Sequence, residues 1–148
     1  MYAGLDLAAK EKNYSGICIL NKNGKIIFIG LVKKDKEIKK FLKFVKIIAI
    51  DAPLTKSKKD RKTEKLLRKK GLKPLSLKLK SMQALAKRAL KLKNYFNKNK
   101  IIVIETFPSA IKIKKFKNKH INDAFKAALV ALAYEKNKSK KIGNIYLL

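Results

Sequence analysis

Several features that define common protein classes are missing from this sequence. It contains one cysteine, Cys18, so it forms no internal disulfide, and it has no Cys/His cluster for zinc. No Gly-rich segment has the spacing of a Walker-type phosphate loop or of a dinucleotide-binding fingerprint. The apolar runs are too short to cross a bilayer, and the first residues lead into a predicted strand rather than a secretory signal. The sequence therefore predicts a cytoplasmic protein with no membrane partner.

Acidic residues are also scarce, which leaves a large excess of positive charge. The 148 residues include 39 Lys and Arg but only 10 Asp and Glu, for a formal net charge of +29. Hydrophobic residues make up 47% of the chain, which is enough for a buried core and argues against disorder. The expected partner is nucleic acid, because phosphates neutralised by Lys release their counterions. The alternative is a compositional bias toward Lys, since only Arg61, Arg68 and Arg88 are arginines.

The pattern of apolar residues predicts an α/β fold in a single domain, 1–148. Three strands joined by short connections should form an antiparallel meander, and two later apolar runs are typical of buried parallel strands. This order predicts a mixed five-stranded sheet, strand order 3-2-1-4-5, with helices on both faces. A basic helical segment occupies about 56–98. The predicted strands are 2–9, 14–20, 25–32, 46–50 and 101–104, with 145–148 as a candidate for one more, and the predicted helices are 35–45, 60–70, 81–97 and 124–135.

Three of the ten acids lie where acids are rare, within or directly after predicted strands. Asp6 lies in the first strand, and Asp51 and Glu105 each follow an apolar strand. Because ligands bind at the carboxyl ends of parallel strands, neighbouring strands would bring these carboxylates together. Like charges so close would raise each other's pKa unless a cation neutralised them, and oxygen ligands favour Mg²⁺ or Mn²⁺. The simpler alternatives are an isolated strand acid for Asp6 and a turn-initiating residue for Asp51.

Other polar residues have both a functional and a structural interpretation. Asp123 begins the last predicted helix, where Asp is a favoured N-cap. His120, the only histidine, either shuttles a proton or, as is more common for a lone surface histidine, has no chemical role. Arg61 and Glu64 lie three residues apart and share a helix face. Arg61 either forms a surface ion pair or, like Arg88, binds a phosphate through its guanidinium group.

Six short motifs, taken in order, resemble one known family, the predicted nucleases called domain of unknown function 429. The likeness covers nearly the whole chain, and the order of the motifs is more specific than any one of them. The motifs are Gly4-Leu-Asp-Leu-Ala8, Ala49-Ile-Asp-Ala-Pro-Leu54, Arg61-Lys-Thr-Glu64, Ser81-Met-Gln-Ala-Leu-Ala-Lys-Arg88, Ile104-Glu-Thr-Phe-Pro108 and Asn122-Asp-Ala-Phe-Lys-Ala-Ala-Leu129.

The resemblance implies a ribonuclease H-like fold, akin to that of Holliday-junction resolvases. It also implies an acidic site with a set of basic and acidic neighbours. The chain departs from the family at Phe125, where many such sequences carry a second Asp or a Leu, so no second carboxylate is expected on that turn. The implied acidic site is Asp6, Asp51, Glu105 and Asp123, and the implied neighbours are Arg61, Glu64 and Arg88.

Two functions are compatible with these observations. The first is a nuclease in which the four acids hold two Mg²⁺ or Mn²⁺ ions, with Asp6 as the shared ligand, against the phosphate of DNA or RNA. The second is a basic module that binds nucleic acid without cleaving it. A sugar-kinase-like ATPase is disfavoured, because Leu7-Ala-Ala-Lys10 lacks the required phosphate loop. The sequence does not choose between DNA and RNA and does not indicate an oligomeric state.

Overall fold

The computed structural model describes residues 1–148 and contains seven strands and four α-helices. The strands are β1 (Tyr2–Asp6), β2 (Ser15–Leu20), β3 (Ile26–Val32), β4 (Ile47–Ile50), β5 (Ile102–Thr106), β6 (Lys140–Ile142) and β7 (Ile145–Leu147). The helices are α1 (Asp35–Leu42), α2 (Lys62–Lys69), α3 (Lys80–Lys98) and α4 (Lys119–Glu135), with a short 3₁₀ turn at Pro108–Ala110.

All seven strands form one mixed sheet in the order β3-β2-β1-β4-β5-β7-β6. The first three strands are an antiparallel meander, and β1, β4, β5 and β7 run parallel to one another. The predicted α/β class and the order 3-2-1-4-5 are therefore confirmed for the first five strands. The predicted total of five strands is wrong, because β7 pairs with the outer side of β5 and β6 pairs with β7.

The helices cover both faces of the sheet, as predicted. Side chains alternate across each central strand, so Leu5 of β1 packs with residues of α1 and α3, while Tyr2 packs with residues of α4. Cys18 lies under α4, where burial raises the pKa of its thiol to about 12. No helix combines the length and the apolar character needed to span a membrane.

Helix α4 lies unusually close to β1, and a glycine makes this possible. A Cβ atom at Gly4 would lie 2.0 Å from the carbonyl oxygen of Ala124 and 2.2 Å from the amide nitrogen of Ala128. The facing helix positions are also small, since Ala124, Ala127 and Ala128 are all fully buried. The backbone of α4 therefore rests directly on β1, near the end of that strand where Asp6 lies.

Candidate functional site

Three aspartates meet at the end of the sheet formed by the carboxyl ends of β1 and β4. Asp6 is the last residue of β1, and Asp51 directly follows β4. The two strands are parallel, with Leu5 opposite Ile50, and the Asp51 amide donates to the Leu5 carbonyl at 2.9 Å. Asp123 reaches the same point from α4. One carboxylate oxygen from each lies within 4.8 Å of the other two. We call Asp6, Asp51 and Asp123 the acidic triad.

Asp123 does not cap α4, so the N-cap interpretation of this residue is wrong. The helix begins at Lys119, and the side chain of Asn118 accepts a hydrogen bond from the Ile121 amide at 3.0 Å as the N-cap. Asp123 instead lies one turn inside the helix, where it is buried. An acid buried on a helix face without a capping role requires another source of stabilisation.

Basic side chains contact two members of the triad. The ammonium groups of Lys119 and Lys126 lie 3.2 Å and 3.4 Å from the two oxygens of Asp123. His120 Nδ1 lies 2.7 Å from Asp6 Oδ2, so the only histidine contacts the triad. No positive side chain forms such a pair with Asp51.

The proximity of the three acids changes their ionisation. Burial raises the pKa of Asp6, although its hydrogen bonds to His120 and Asp51 act in the opposite direction. The pKa of Asp51 is raised well above 3.8, first by burial and then by the negative charges of Asp6 and Asp123. The Asp6 and Asp51 carboxyl groups lie close together, so ionising both of them is unfavourable. Without a cation, this proximity therefore favours the protonated form of Asp51.

The raised pKa of Asp51 predicts an unusual pH dependence of stability in the metal-free protein. The folded state holds the Asp51 proton more tightly than the unfolded chain does, so the contribution of Asp51 to stability is full below pH 3.8 and is lost as the pH rises through its folded-state pKa. Asp51→Asn should therefore raise the free energy of unfolding at neutral pH. The gain should shrink as the pH falls toward 3.8. Urea denaturation across this range in EDTA provides the measurement.

Asp60 provides a control for which the expected effect of Asp→Asn on the free energy of unfolding has the opposite sign. Hydrogen bonds from the Leu77 amide and from Arg68 and Ser76 lower the pKa of its carboxyl below 3.8. Asp60→Asn should therefore lower the free energy of unfolding at neutral pH, and this loss should disappear as the pH falls through the lowered pKa. If Asp51→Asn behaved like Asp60→Asn, the charge repulsion inferred for the triad would be wrong.

Glu105 lies beside the triad but is not part of it. Both of its oxygens accept hydrogen bonds from Arg61, at 2.9 Å and 2.7 Å, and one also accepts from the Leu54 amide at 2.8 Å. Arg61 also pairs with Glu64 at 2.6 Å, so one guanidinium group joins two buried carboxylates. Glu105 thus has a structural partner that the sequence did not reveal. A metal contact by Glu105 and a phosphate contact by Arg61 both remain predictions.

Arg88 is buried, and its donors are already bonded within the protein. Only 7% of its side chain is exposed, and it pairs with Asp35 at 2.8 Å. It also donates to the carbonyl oxygens of Ala8 and Lys33, at 2.7 Å and 2.8 Å. These bonds fix the segment that follows β1 and therefore support the position of Asp6. A contact between Arg88 and phosphate remains a prediction.

Two cavities of different character adjoin the triad. Asp6 and Asp51 line a cavity of about 250 Å³ whose walls include Met82, Leu85 and Phe107. We call it the apolar pocket. Asp123 lines a second, groove-shaped cavity of about 670 Å³. We call it the basic groove, and its cationic residues are Lys112, Lys114, Lys117, Lys119 and Lys126. Ser109 lines both cavities, so they are neighbours.

The donor set of the triad fits a hard divalent cation. All three side chains supply carboxylate oxygens, the ligands preferred by Mg²⁺ and Mn²⁺. The raised pKa of Asp51 indicates that the negative charge of the site is incompletely balanced by protein groups. A divalent ion would supply that balance and favour the ionised form of Asp51. The only cysteine, Cys18, is buried under α4 and His120 is the only histidine, so no Cys/His set is available at the triad to favour zinc.

Comparison with known proteins gave no relative. No family model, no curated protein and no solved structure matches the chain.

Proposed function

We propose that this protein is a divalent-metal-dependent nuclease that hydrolyses phosphodiester bonds in DNA or RNA. The observation that carries the proposal is the acidic triad, three carboxylates whose oxygens lie within 4.8 Å of one another in a chain of net charge +29. In so basic a protein, acids that cluster despite their repulsion point to a cation site. The abundant lysines favour a polyanionic substrate, to which they give affinity without reading its sequence.

We also infer that the fold is ribonuclease H-like. The support is the antiparallel meander of β1, β2 and β3 followed by parallel β4 and β5, with β1 at the centre. The acids lie at the carboxyl ends of the two central parallel strands, a common location for binding sites in open sheets. The β6–β7 hairpin is an addition at the far edge of the sheet.

The residues of the triad have distinct roles in this proposal. Asp6, which contacts Asp51 and the His120 side chain, would be the shared ligand of Mg²⁺ or Mn²⁺, and Asp51 and Asp123 would each offer a further carboxylate oxygen. The chemistry that such an ion would supply is a more acidic attacking water and stabilisation of charge on the leaving oxygen. His120 is exposed, so its free ring nitrogen can exchange a proton with solvent or substrate. Lys119 and Lys126 neutralise Asp123 until substrate or metal arrives.

The proposal predicts that the wild-type protein binds and uses Mn²⁺ or Mg²⁺. At about 100 times the dissociation constant, binding to the folded state adds about 2.7 kcal/mol of stability. For a chain of this size, that corresponds to a rise in Tm of about 5–10 °C. Cleavage should be tested on single strands, duplexes, RNA–DNA hybrids and four-way junctions with each metal. Cleavage of none of them, together with an unchanged Tm, would reject the proposal.

A non-catalytic nucleic-acid-binding protein is the second candidate, and the net charge of +29 is the observation that favours it. In that case Lys119, Lys126 and His120 would remain the permanent partners of the triad, and no metal would be needed. Tight, salt-sensitive binding without cleavage and without a metal-dependent Tm would support this candidate.

A further inference from the structure

Members of the acidic triad line two neighbouring cavities that suit different parts of a nucleotide. Asp123 lines the basic groove, and Asp6 and Asp51 line the apolar pocket. Because the three carboxylates lie within 4.8 Å, a phosphate held by a metal at the triad would adjoin both cavities. The chemistry of the two cavities therefore describes what adjoins the reacting phosphate.

The basic groove is suited to the phosphate backbone. Asp123 is its only acid, and two of its five lysines already pair with that residue. Lys112, Lys114 and Lys117 are exposed and have no carboxylate partner. Lysines arranged along a groove bind successive phosphates regardless of sequence.

The apolar pocket is suited to a nucleobase. Its volume of about 250 Å³ is small, and Phe107, Met82, Leu85 and Leu75 give it apolar walls. An aromatic ring and a thioether provide a surface on which a planar base can stack. The Arg61, Glu64 and Glu105 network forms a polar wall. A base pair inside a duplex does not expose the face of a base, so the pocket requires an unpaired base.

We infer that the substrate is a nucleic-acid strand with an unpaired nucleotide next to the reacting phosphate, the base in the apolar pocket and the backbone in the basic groove. This inference rests on the proposed function, because the triad sets the position of the phosphate. A continuous duplex must first unstack and unpair a base to occupy the pocket. A single strand does not have this cost and binds more tightly than a duplex of the same sequence.

Binding without metal tests the inference separately from catalysis. Fluorescence anisotropy in EDTA compares wild-type protein with a labelled single strand, its blunt duplex and the same strand made of abasic nucleotides. We expect the duplex and the abasic strand to bind roughly tenfold more weakly than the single strand, as expected for a stacked base. Equal affinities for the three ligands would overturn the inference, since charge alone would then explain binding.

Substitutions in each cavity locate the contacts. Leu75 is 61% exposed, so Leu75→Ser changes the apolar pocket with little effect on folding. This variant and Phe107→Leu should weaken binding of the single strand and leave binding of the abasic strand unchanged. If both ligands were weakened equally, the base would not lie in this pocket.

A second lysine-rich groove provides a matched control for the backbone contacts. It is lined by Lys56, Lys58, Lys87 and Lys91 and by none of the triad. Lys114→Gln combined with Lys117→Gln should reduce the slope of log affinity against log salt by about 1.4, at about 0.7 per lost single-strand contact. Lys87→Gln combined with Lys91→Gln should change it less. Equal effects of the two pairs would overturn the assignment of the backbone to the basic groove.

The outcomes separate this inference from the proposed function. Preferential binding of the single strand without any cleavage would reject the nuclease and retain the two binding cavities. Metal-dependent cleavage that is as fast on a blunt duplex as on a single strand would retain the nuclease and overturn the inference about its substrate.

Discussion

Asp6→Asn is expected to abolish metal-dependent cleavage, with a loss of at least about 10³-fold in rate, the upper range for removing one preorganised electrostatic group. Asp6 is the one triad member that contacts both Asp51 and His120. Asparagine keeps the shape of the side chain but removes the negative charge that a divalent cation requires. Single-turnover cleavage of whichever substrate the wild-type protein accepts gives the measurement.

The same substitution should have the opposite effect on stability in EDTA. Removing one of three repelling carboxylates relieves the repulsion that helps to raise the pKa of Asp51. The Tm of the metal-free variant should therefore equal or exceed that of the wild type. The Tm increase caused by Mn²⁺ should be much smaller than in the wild type. This pattern distinguishes loss of a metal ligand from general damage to the fold.

Glu135→Gln is the matched control for Asp6→Asn. It removes one negative charge from the last residue of α4, where Glu135 forms a surface ion pair with Lys46. The pair is exposed to solvent, so its loss should have little effect on stability, and it lies at the amino ends of the parallel strands, opposite the triad. Cleavage should be unchanged. Full activity of Asp6→Asn would show that the triad is not the catalytic site.

Gly4→Ala should destabilise the protein by about 4 kcal/mol or more, a large part of the 5–15 kcal/mol typical of a whole domain. The new Cβ would overlap backbone atoms of Ala124 and Ala128, at 2.0 Å and 2.2 Å. Backbone atoms cannot rotate away as a side chain does, so α4 must move off β1. Urea denaturation followed by circular dichroism measures the loss. The displacement would also carry Asp123 away from Asp6, so any folded fraction should respond less to Mn²⁺.

Gly30→Ala is the control for a glycine in a strand of the same sheet. The nearest atoms to a Cβ there belong to the Phe28 side chain, at 3.3 Å and 3.7 Å. That side chain can adjust, and alanine is otherwise better than glycine inside a strand by roughly 0.5–1 kcal/mol. Gly30→Ala should therefore be neutral or slightly stabilising. A Gly4→Ala protein as stable as Gly30→Ala would mean that α4 packs less closely than described.

The central part of the fold was accessible from the sequence, because its signals are local and mutually consistent. Continuous apolar runs identified β4 and β5, and short connections identified the meander of β1 to β3. The proximity of the acids at the ends of β1 and β4 then follows from the predicted order of the strands in the sheet. This is why Asp6 and Asp51 were predicted to be neighbours, and their carboxylates do lie together.

Features that depend on contacts between residues distant in the sequence could not be predicted from the sequence alone. The bond between Arg61 and Glu105 joins residues 44 positions apart, and only the fold brings them together. The predicted start of α4 is later in the sequence than the observed start, because Lys117, Lys119 and His120 show no apolar periodicity before Ile121. Strand β6 is three residues long and begins with two lysines, so it resembles a loop. The Gly143-Asn144 turn between Ile142 and Ile145 was the available hairpin signal.

The close packing of α4 on β1 has a consequence for the order of folding. Strand β1 is synthesised before α4, yet one of its faces packs against α4, whose residues follow more than a hundred positions later. Pairing of such distant segments is slow, because the entropy of closing a long loop is lost before the contact forms. Until α4 docks, Cys18, Leu20 and the small-residue surface around Gly4 remain accessible to other chains, which favours aggregation. The acidic triad also stays incomplete during this period, so a nascent chain completes the proposed cation site only when α4 docks.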